Sequence, residues 1–147
     1  MPRIDLATIA QTNSTGYPPP YAALVEGRWV RKLGSAFGLQ DFGVSHVVLK
    51  PGAASSQRHW HEQEDEFVVI LSGEAILIED EGRTTMVAGD MAAFPKGHDN
   101  AHHLINESDG NCVFIAFGRV PVGDCHYPDI DLLASGGCYR HTDGTPY

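Results

Sequence analysis

The strongest constraint on the fold is a short segment in which two histidines and a glutamate lie beside an apolar run. His59, His61 and Glu66 belong to the stretch HWHEQEDEFVVIL. Side chains two residues apart on an extended segment point to the same side, so His59 and His61 can direct neighbouring imidazoles at one ion. The β-branched run after the charged turn favours a strand that brings Glu66 to the same ion. The pattern predicts a metal site built on β-strands.

The ligand types narrow the choice of metal. Imidazole nitrogens with one carboxylate oxygen suit a divalent transition metal such as zinc, iron, manganese or nickel better than calcium or magnesium. Affinity order alone does not choose among these ions.

A second histidine cluster follows in GDMAAFPKGHDNAHHLIN, where glycine and proline punctuate short apolar runs. This segment contains His98, His102 and His103. Any one of the three imidazoles could complete a four-residue site.

Together the two segments resemble the paired motifs of the cupin superfamily. The first motif matches at Gly52, His59, His61, Glu66 and Gly73, with one extra residue between Gly52 and His59. The second motif matches at Gly89, Pro95, Gly97, His102 and Asn106, with two extra residues between Gly97 and His102.

The resemblance implies an all-β fold, the cupin double-stranded β-helix, which is a jelly-roll-like barrel. It also implies that the metal ligands are His59, His61, Glu66 and His102, with His103 as the alternative fourth ligand. The remaining histidines of the second cluster, His98 and His103, are candidate catalytic proton carriers. Asn106 would hold a turn or a strand end.

The distribution of short β-patterned runs divides the chain into three parts. Residues 1–40 contain three consecutive prolines and are predicted to form an N-terminal arm that packs on the barrel or on a partner subunit. Residues 41–118 carry the recurring runs of a barrel. Residues 119–147 are predicted to be an irregular C-terminal tail, with HYPDIDLL as its one candidate for a short helix or docked turn. The aromatic residues of both terminal segments predict a homodimer.

Neighbouring residues can be assigned to one face or the other by alternation. Gln57 shares the face of His59 and His61, so its side chain is expected to contact a substrate or a water molecule. Arg58 and Trp60 are expected to point outward. If the substrate carries a phosphate, as a sugar phosphate does, the sequence offers only three cations near the motifs to bind it, Arg58, Lys96 and Arg83.

The resemblance fixes the scaffold rather than the reaction, because cupins include dioxygenases, isomerases, decarboxylases, lyases and binding domains. Within the superfamily, the chain is similar to single-domain bacterial cupins sometimes labelled sugar-phosphate isomerases. We therefore expect a metal-dependent enzyme that acts on a small polar metabolite by isomerase or dioxygenase chemistry. The alternative is a non-enzymatic cupin that binds or senses a small molecule and uses the metal structurally.

Composition excludes several other classes. A formal charge of −9 and a pI near 5.2 argue against a nucleic-acid partner, which would need a basic face. The sequence has no apolar stretch long enough for a membrane span, and its first residues lack the apolar core of a secretory signal. We therefore predict a cytoplasmic protein without a membrane partner. Three cysteines without a CxxC pair argue against a disulfide framework. Cys112 is predicted to be core, and a metal or redox role for Cys125 or Cys138 is the less favoured interpretation.

Overall fold

The computed structural model describes residues 3–147, which form twelve β-strands and a few short helical turns. The strands are β1 Arg28–Lys32, β2 Gly43–Leu49, β3 Trp60–His61, β4 Glu66–Ser72, β5 Glu74–Glu79, β6 Gly82–Val87, β7 Met91–Phe94, β8 His103–Ile105, β9 Cys112–Gly118, β10 Cys125–Tyr127, β11 Leu132–Ser135 and β12 Cys138–Arg140. The α-helical turns are α1 Pro19–Ala22 and α2 Leu33–Ala36, and single 3-10 turns span Leu6–Thr8 and Ala23–Val25.

Two antiparallel sheets form the barrel. A five-stranded sheet in the order β1-β2-β9-β4-β7 packs against a three-stranded sheet in the order β6-β5-β8. Their inward side chains form one apolar core, which includes Leu49, Ile70, Leu77, Leu104 and Phe114. Non-polar burial of this kind is the main favourable contribution to folding. The predicted all-β barrel is confirmed.

Alternation along β4 links the core to the site. Glu66 lies at the start of the strand, and Val68 and Ile70 follow it on the same face and are buried. Gly73 follows the end of the strand, and its φ is +74°. A Cβ there would lie 2.2 Å from the carbonyl oxygen of Asn111, so only glycine fits this bend.

The C-terminal residues contain more regular structure than the predicted tail. Strands β10, β11 and β12 form an antiparallel meander, and β3 joins its edge through β10. The segment HYPDIDLL forms no helix: it is divided between β10, a turn and the start of β11. The strands are three or four residues long, too short for alternation to be recognised against their glycine-rich surroundings.

The N-terminal segment runs along the barrel. Thr12 pairs with Val30 of the edge strand β1 through backbone hydrogen bonds of 3.0 and 2.8 Å. Tyr17 packs on Tyr127 and Tyr139, with ring centroids 5.8 and 5.3 Å apart. The aromatic residues of the two terminal segments therefore pack on one another within one chain, and the homodimer stays a prediction.

None of the helices within residues 3–147 is long and apolar enough to cross a bilayer.

Candidate metal centre

Three neighbouring segments bring the predicted ligands together. His59 precedes β3, His61 ends it, Glu66 begins β4, and His102 precedes β8. His59 and His102 also form a two-residue backbone bridge, in which the amide nitrogen of each donates to the carbonyl of the other at 3.1 and 2.9 Å. This bridge fixes the relative positions of two imidazoles that are far apart in the sequence.

The carboxylate of Glu66 lies at the centre of the imidazoles. Its Oε2 is 2.8 Å from Nε2 of His102 and 3.3 Å from Nε2 of His59, and its Oε1 is 3.5 Å from Nε2 of His61. Burial alone would raise the pKa of Glu66, but the contacts with His102, His59 and His61 hold it well below its usual range. We call these four residues the ligand cluster.

The outer ring nitrogens show how two of the imidazoles are oriented. Nδ1 of His59 lies 2.9 Å from the carbonyl oxygen of Gln57, an acceptor, so it carries the proton and leaves the Nε2 lone pair free. Nδ1 of His61 faces Oε2 of Glu64 at 3.4 Å, which favours the same tautomer. Imidazoles whose outer nitrogen faces an acceptor are typical of metal ligands.

Glu64 is a site residue that the sequence analysis missed. Its side chain is 1% exposed, and its Oε1 accepts hydrogen bonds from the backbone amides of Val122 and Gly123. Burial raises the pKa of this carboxyl group, but the two amides and the nearby His61 lower it below its usual value. Three of the four residues in the segment EQED are acidic. No local feature distinguishes Glu64, the residue that binds the backbone of residues 122 and 123.

The surroundings of the histidines differ. Burial alone would lower the pKa of His61, but the Cys125 thiol and the Glu66 carboxylate raise it to about 10. Burial is also the largest influence on His102, and its pKa falls below the usual value. The His102 ring stacks on Phe94 with a centroid distance of 3.5 Å. Protonated His61 would have to lose its proton to bind a metal.

The donor set fits a divalent transition metal. The ligand atoms of His59, Glu66 and His102 all lie within 4.8 Å of one another, and His61 adjoins the same carboxylate. Three nitrogens and one carboxylate match the ligand types preferred by zinc, iron, manganese and nickel. These residues could hold such an ion, and their assignment as metal ligands stays a prediction.

The ligand cluster lies in the wall of a cavity of about 470 Å³ inside the barrel. Tyr17, Tyr127 and Tyr139 line another part of the wall. Burial raises the pKa of Tyr17 and of Tyr127, so their hydroxyl groups stay protonated and can donate hydrogen bonds. The cavity volume suits a small metabolite.

Two cations of β1, Arg28 and Lys32, also line this cavity, and the sequence analysis missed both. The guanidinium of Arg28 donates from Nη1 to the carbonyl oxygen of Ser55 at 2.7 Å. Within residues 3–147, neither cation forms an ion pair with a carboxylate. Alternation along RWVRK places Arg28, Val30 and Lys32 on one face and could have identified them. We call Arg28 and Lys32 the cationic wall.

The three cations that the sequence analysis considered lie elsewhere. Arg58 forms ion pairs with Asp80 and Asp129, and Arg83 pairs with Glu107 at 2.6 Å. Lys96 is exposed and is not part of the cavity wall. The cations near the motifs in the sequence are therefore not the ones that line the cavity.

The structure separates the two histidines predicted to carry protons. His103 lines the main cavity, and its Nδ1 donates to the carbonyl oxygen of Ser56 at 2.8 Å. His98 is exposed and borders a smaller cavity of about 80 Å³ beside His61, Glu66 and His102. Only His103 therefore lies where a molecule in the main cavity could contact it.

The outward-facing residues of this region mostly follow the expected alternation. Trp60 stacks on His126, with ring centroids 4.3 Å apart, and the carboxylates that bind Arg58 lie outside the cavity. Gln57 differs from the expectation: its amide donates to the carbonyl oxygen of Tyr21 at 2.9 Å and binds the N-terminal segment. The segment before β3 is not a regular strand, so strict alternation does not extend to Gln57. Asn106 is fully buried and donates to Leu49 and Gly110 at 2.8 Å, a structural role.

Comparison with known proteins identifies relatives. The sequence model of the cupin domain family matches residues 45–118. A crystal structure described as a sugar phosphate isomerase from a cupin superfamily, from Silicibacter pomeroyi, is 38% identical with a TM-score of 0.93, and the match covers 99% of this chain and 96% of that chain. A proposed sugar phosphate isomerase from Acidithiobacillus ferrooxidans is 29% identical with a TM-score of 0.72, covering 79% of this chain and 76% of that chain.

A polyketide cyclase from Streptomyces resistomycificus shares the fold at 19% identity and a TM-score of 0.65, over 80% of this chain and 78% of that chain. No curated protein sequence matches the chain.

Proposed function

The chain belongs to the cupin domain family, and on that premise we propose that it is a metal-dependent isomerase of small phosphorylated sugars. The relative from Silicibacter pomeroyi, which is described as a sugar phosphate isomerase, supports the substrate class. Such a substrate combines a carbonyl, several hydroxyl groups and an anionic phosphate in one small molecule.

The observation that carries the proposal is that one cavity contains both the ligand cluster and the cationic wall. An aldose or ketose phosphate needs a group that polarises its carbonyl and a separate group that binds its phosphate. Arg28 and Lys32 are suited to the second task because no carboxylate of the described residues neutralises them.

The chain's own residues would divide the work. A bound divalent ion would polarise the substrate carbonyl. His103 would move the proton between adjacent carbons, since Nδ1 donates to Ser56 and leaves the Nε2 lone pair as an acceptor. The tyrosine hydroxyls of the wall would donate hydrogen bonds to the sugar.

Isomerisation moves hydrogen between two carbons of the same molecule and needs no co-reactant. The proposal is tested by incubating metal-loaded protein with aldose and ketose phosphates of different chain lengths in deuterated water. We expect interconversion, with deuterium entering at the carbon beside the carbonyl. Matched unphosphorylated sugars are the control. Binding of the phosphates without exchange or interconversion would instead favour the non-enzymatic binding alternative.

Dioxygenase chemistry stays a prediction from the sequence, and an oxygen electrode tests it directly. With iron-loaded protein and the same substrates, isomerase chemistry leaves the dioxygen concentration unchanged. Consumption of dioxygen in proportion to substrate loss would contradict the isomerase proposal.

Homodimerisation and a cytoplasmic location likewise stay predictions. Light scattering on the purified protein is expected to give the mass of two chains, and the mass of one chain at micromolar concentration would contradict the dimer.

A further inference from the structure

Cys125 occupies a position in the fold that the other two cysteines do not. It begins β10, the strand that pairs with β3, and in that pairing it lies directly opposite His61. Its side chain is buried, with 4% of the residue exposed. The ligand atoms of His59, His61 and Cys125 all lie within 4.8 Å of one another.

This group shares residues with the ligand cluster. His59 belongs both to this group and to the group formed with Glu66 and His102. His61 lies between them, because its Nε2 is 3.5 Å from Glu66 while Cys125 lies across the strand pair. The two groups therefore share His59 and adjoin one another at His61.

A second observation indicates that His61 is prepared as a ligand in this group. Behind its ring, Oε2 of Glu64 is buried without a hydrogen-bond partner and lies 3.4 Å from Nδ1 of His61. A carboxylate placed behind an imidazole orients the ring and strengthens it as a donor to a metal. Burying a carboxylate oxygen without a hydrogen-bond partner is unfavourable for folding unless that oxygen has a role such as this one.

We propose that Cys125 is a thiolate ligand of the candidate metal centre. This proposal rests on the metal centre of the proposed function. Cys125 would bind zinc, cobalt or nickel together with His59 and His61. On binding, the S–H bond breaks, a sulfur–metal bond forms, and the proton leaves to the solvent, with no change of oxidation state. A sulfur donor shifts the preference of the site toward softer cations.

The other cysteines provide the contrast. Cys112 is fully buried within the aliphatic core, and Cys138 is exposed on β12. Neither belongs to a candidate metal-binding group of residues 3–147. Cys125 also packs with Tyr127 and Leu132, so a purely apolar role is the competing explanation. The two roles differ in whether the sulfur bonds to a metal.

The test uses cobalt alone as the probe. Cobalt-loaded wild-type protein is expected to show a thiolate-to-cobalt charge-transfer band in the near ultraviolet. Cys125→Ser should remove the band and lower cobalt affinity at least tenfold, and the matched control Cys138→Ser should change neither. A band that survives in Cys125→Ser overturns the proposal.

A measurement on an unaltered Cys125 covers the case in which Cys125→Ser does not fold. X-ray absorption of the zinc-loaded Cys138→Ser protein should show one sulfur at about 2.3 Å from zinc. Only nitrogen and oxygen neighbours would overturn the thiolate ligand, and would leave the proposed function standing if isomerisation is observed. Failure of the wild-type protein to bind either ion would overturn both.

Discussion

The ligand cluster and the cationic wall line the same cavity, yet they differ in whether a carboxylate contacts their nitrogen atoms. In the ligand cluster, the Glu66 carboxylate contacts three imidazoles at 2.8 to 3.5 Å, although the buried Nδ1 atoms of His61 and His102 have no hydrogen-bond partner within residues 3–147. In the cationic wall, Arg28 makes one hydrogen bond to a backbone carbonyl, and its buried Nε has no partner within residues 3–147.

This difference indicates two kinds of preparation for binding. The contacts of the ligand cluster hold its side chains close together, which lowers the cost of positioning them around an ion. The cationic wall instead keeps uncompensated positive charge beside a cavity, which favours an anionic ligand. Substitutions that affect one region and spare the other can test the distinction.

Removal of a ligand should have the largest effect. His102→Ala removes one of the three imidazoles of the ligand cluster. We expect metal affinity and isomerase activity to fall more than about 100-fold, because loss of a residue that only supports a ligand already costs about 10- to 100-fold. Metal content measured by mass spectrometry and activity on the preferred sugar phosphate check this. The exposed His98→Ala is the histidine control, and equal losses in both variants would show that the cluster is wrongly assigned.

A substitution in the cationic wall should leave the metal in place. Arg28→Met removes a charge-assisted contact worth about 1.5–3 kcal/mol, so KM for a phosphorylated substrate should rise about 10- to 100-fold with metal content unchanged. Arg31→Met is the matched control, because Arg31 lies on the same strand and binds the carbonyl of Ile9 instead. An unchanged KM in Arg28→Met would remove the cationic wall from substrate binding.

Glu64 tests whether the ligand cluster extends beyond its four residues. Glu64→Gln keeps the shape of the side chain but weakens its hold on Nδ1 of His61, so we expect zinc affinity to fall about tenfold. Isothermal titration measures this loss. Glu62→Gln is the control, since Glu62 binds the exposed ring of His126. Equal affinities in the two variants would contradict a positioning role for Glu64.

The smallest effect concerns the C-terminal sheet, which supports the cavity wall through Tyr127 and Tyr139. Asp131 accepts hydrogen bonds from the Thr142 side chain and backbone and from His141, which lower its pKa to about 2. Because the folded-state pKa is depressed, the stabilisation is present above the unfolded value near 3.9 and is lost as pH falls toward 2.

Thermal denaturation should therefore show a slightly higher Tm for wild type than for Asp131→Asn at pH 6. The difference should shrink between pH 4 and 2. A difference that is constant with pH would exclude the carboxylate charge as its source.

The ligand cluster could be predicted because its signals are local. His59 and His61 are two residues apart, and Glu66 follows a short charged turn at the start of the next strand. Alternation and turn composition were therefore sufficient to predict that these three side chains lie together. His102 required the resemblance to a known pattern, because the backbone bridge that places it beside His59 joins residues 43 positions apart. The barrel strands could also be predicted from local signals, because short β-patterned runs alternate with turn residues along the chain.

The remaining parts depend on contacts between distant segments. Arg28 reaches the cavity because β1 pairs with β2, and Glu64 acquires its role from the amides of residues 122 and 123. Cys125 meets His61 through a strand pair that joins the tail to the motif. Alternation along RWVRK could have placed Arg28 on an inward face, but no local pattern indicates the partners of Glu64 or Cys125. The three short strands of the tail also carry too few residues for periodicity to predict them.

The pairing of β3 with β10 makes the C-terminal meander part of the support of the candidate metal centre. A chain cut after Gly118 would keep every histidine of the ligand cluster. It would nevertheless lose the only strand that pairs with β3 within the described residues. Transplanting the barrel alone into another protein would therefore carry the ligands with only part of their support, the bridge between His59 and His102. Exchange of activity between relatives should succeed only when the C-terminal meander travels with the barrel.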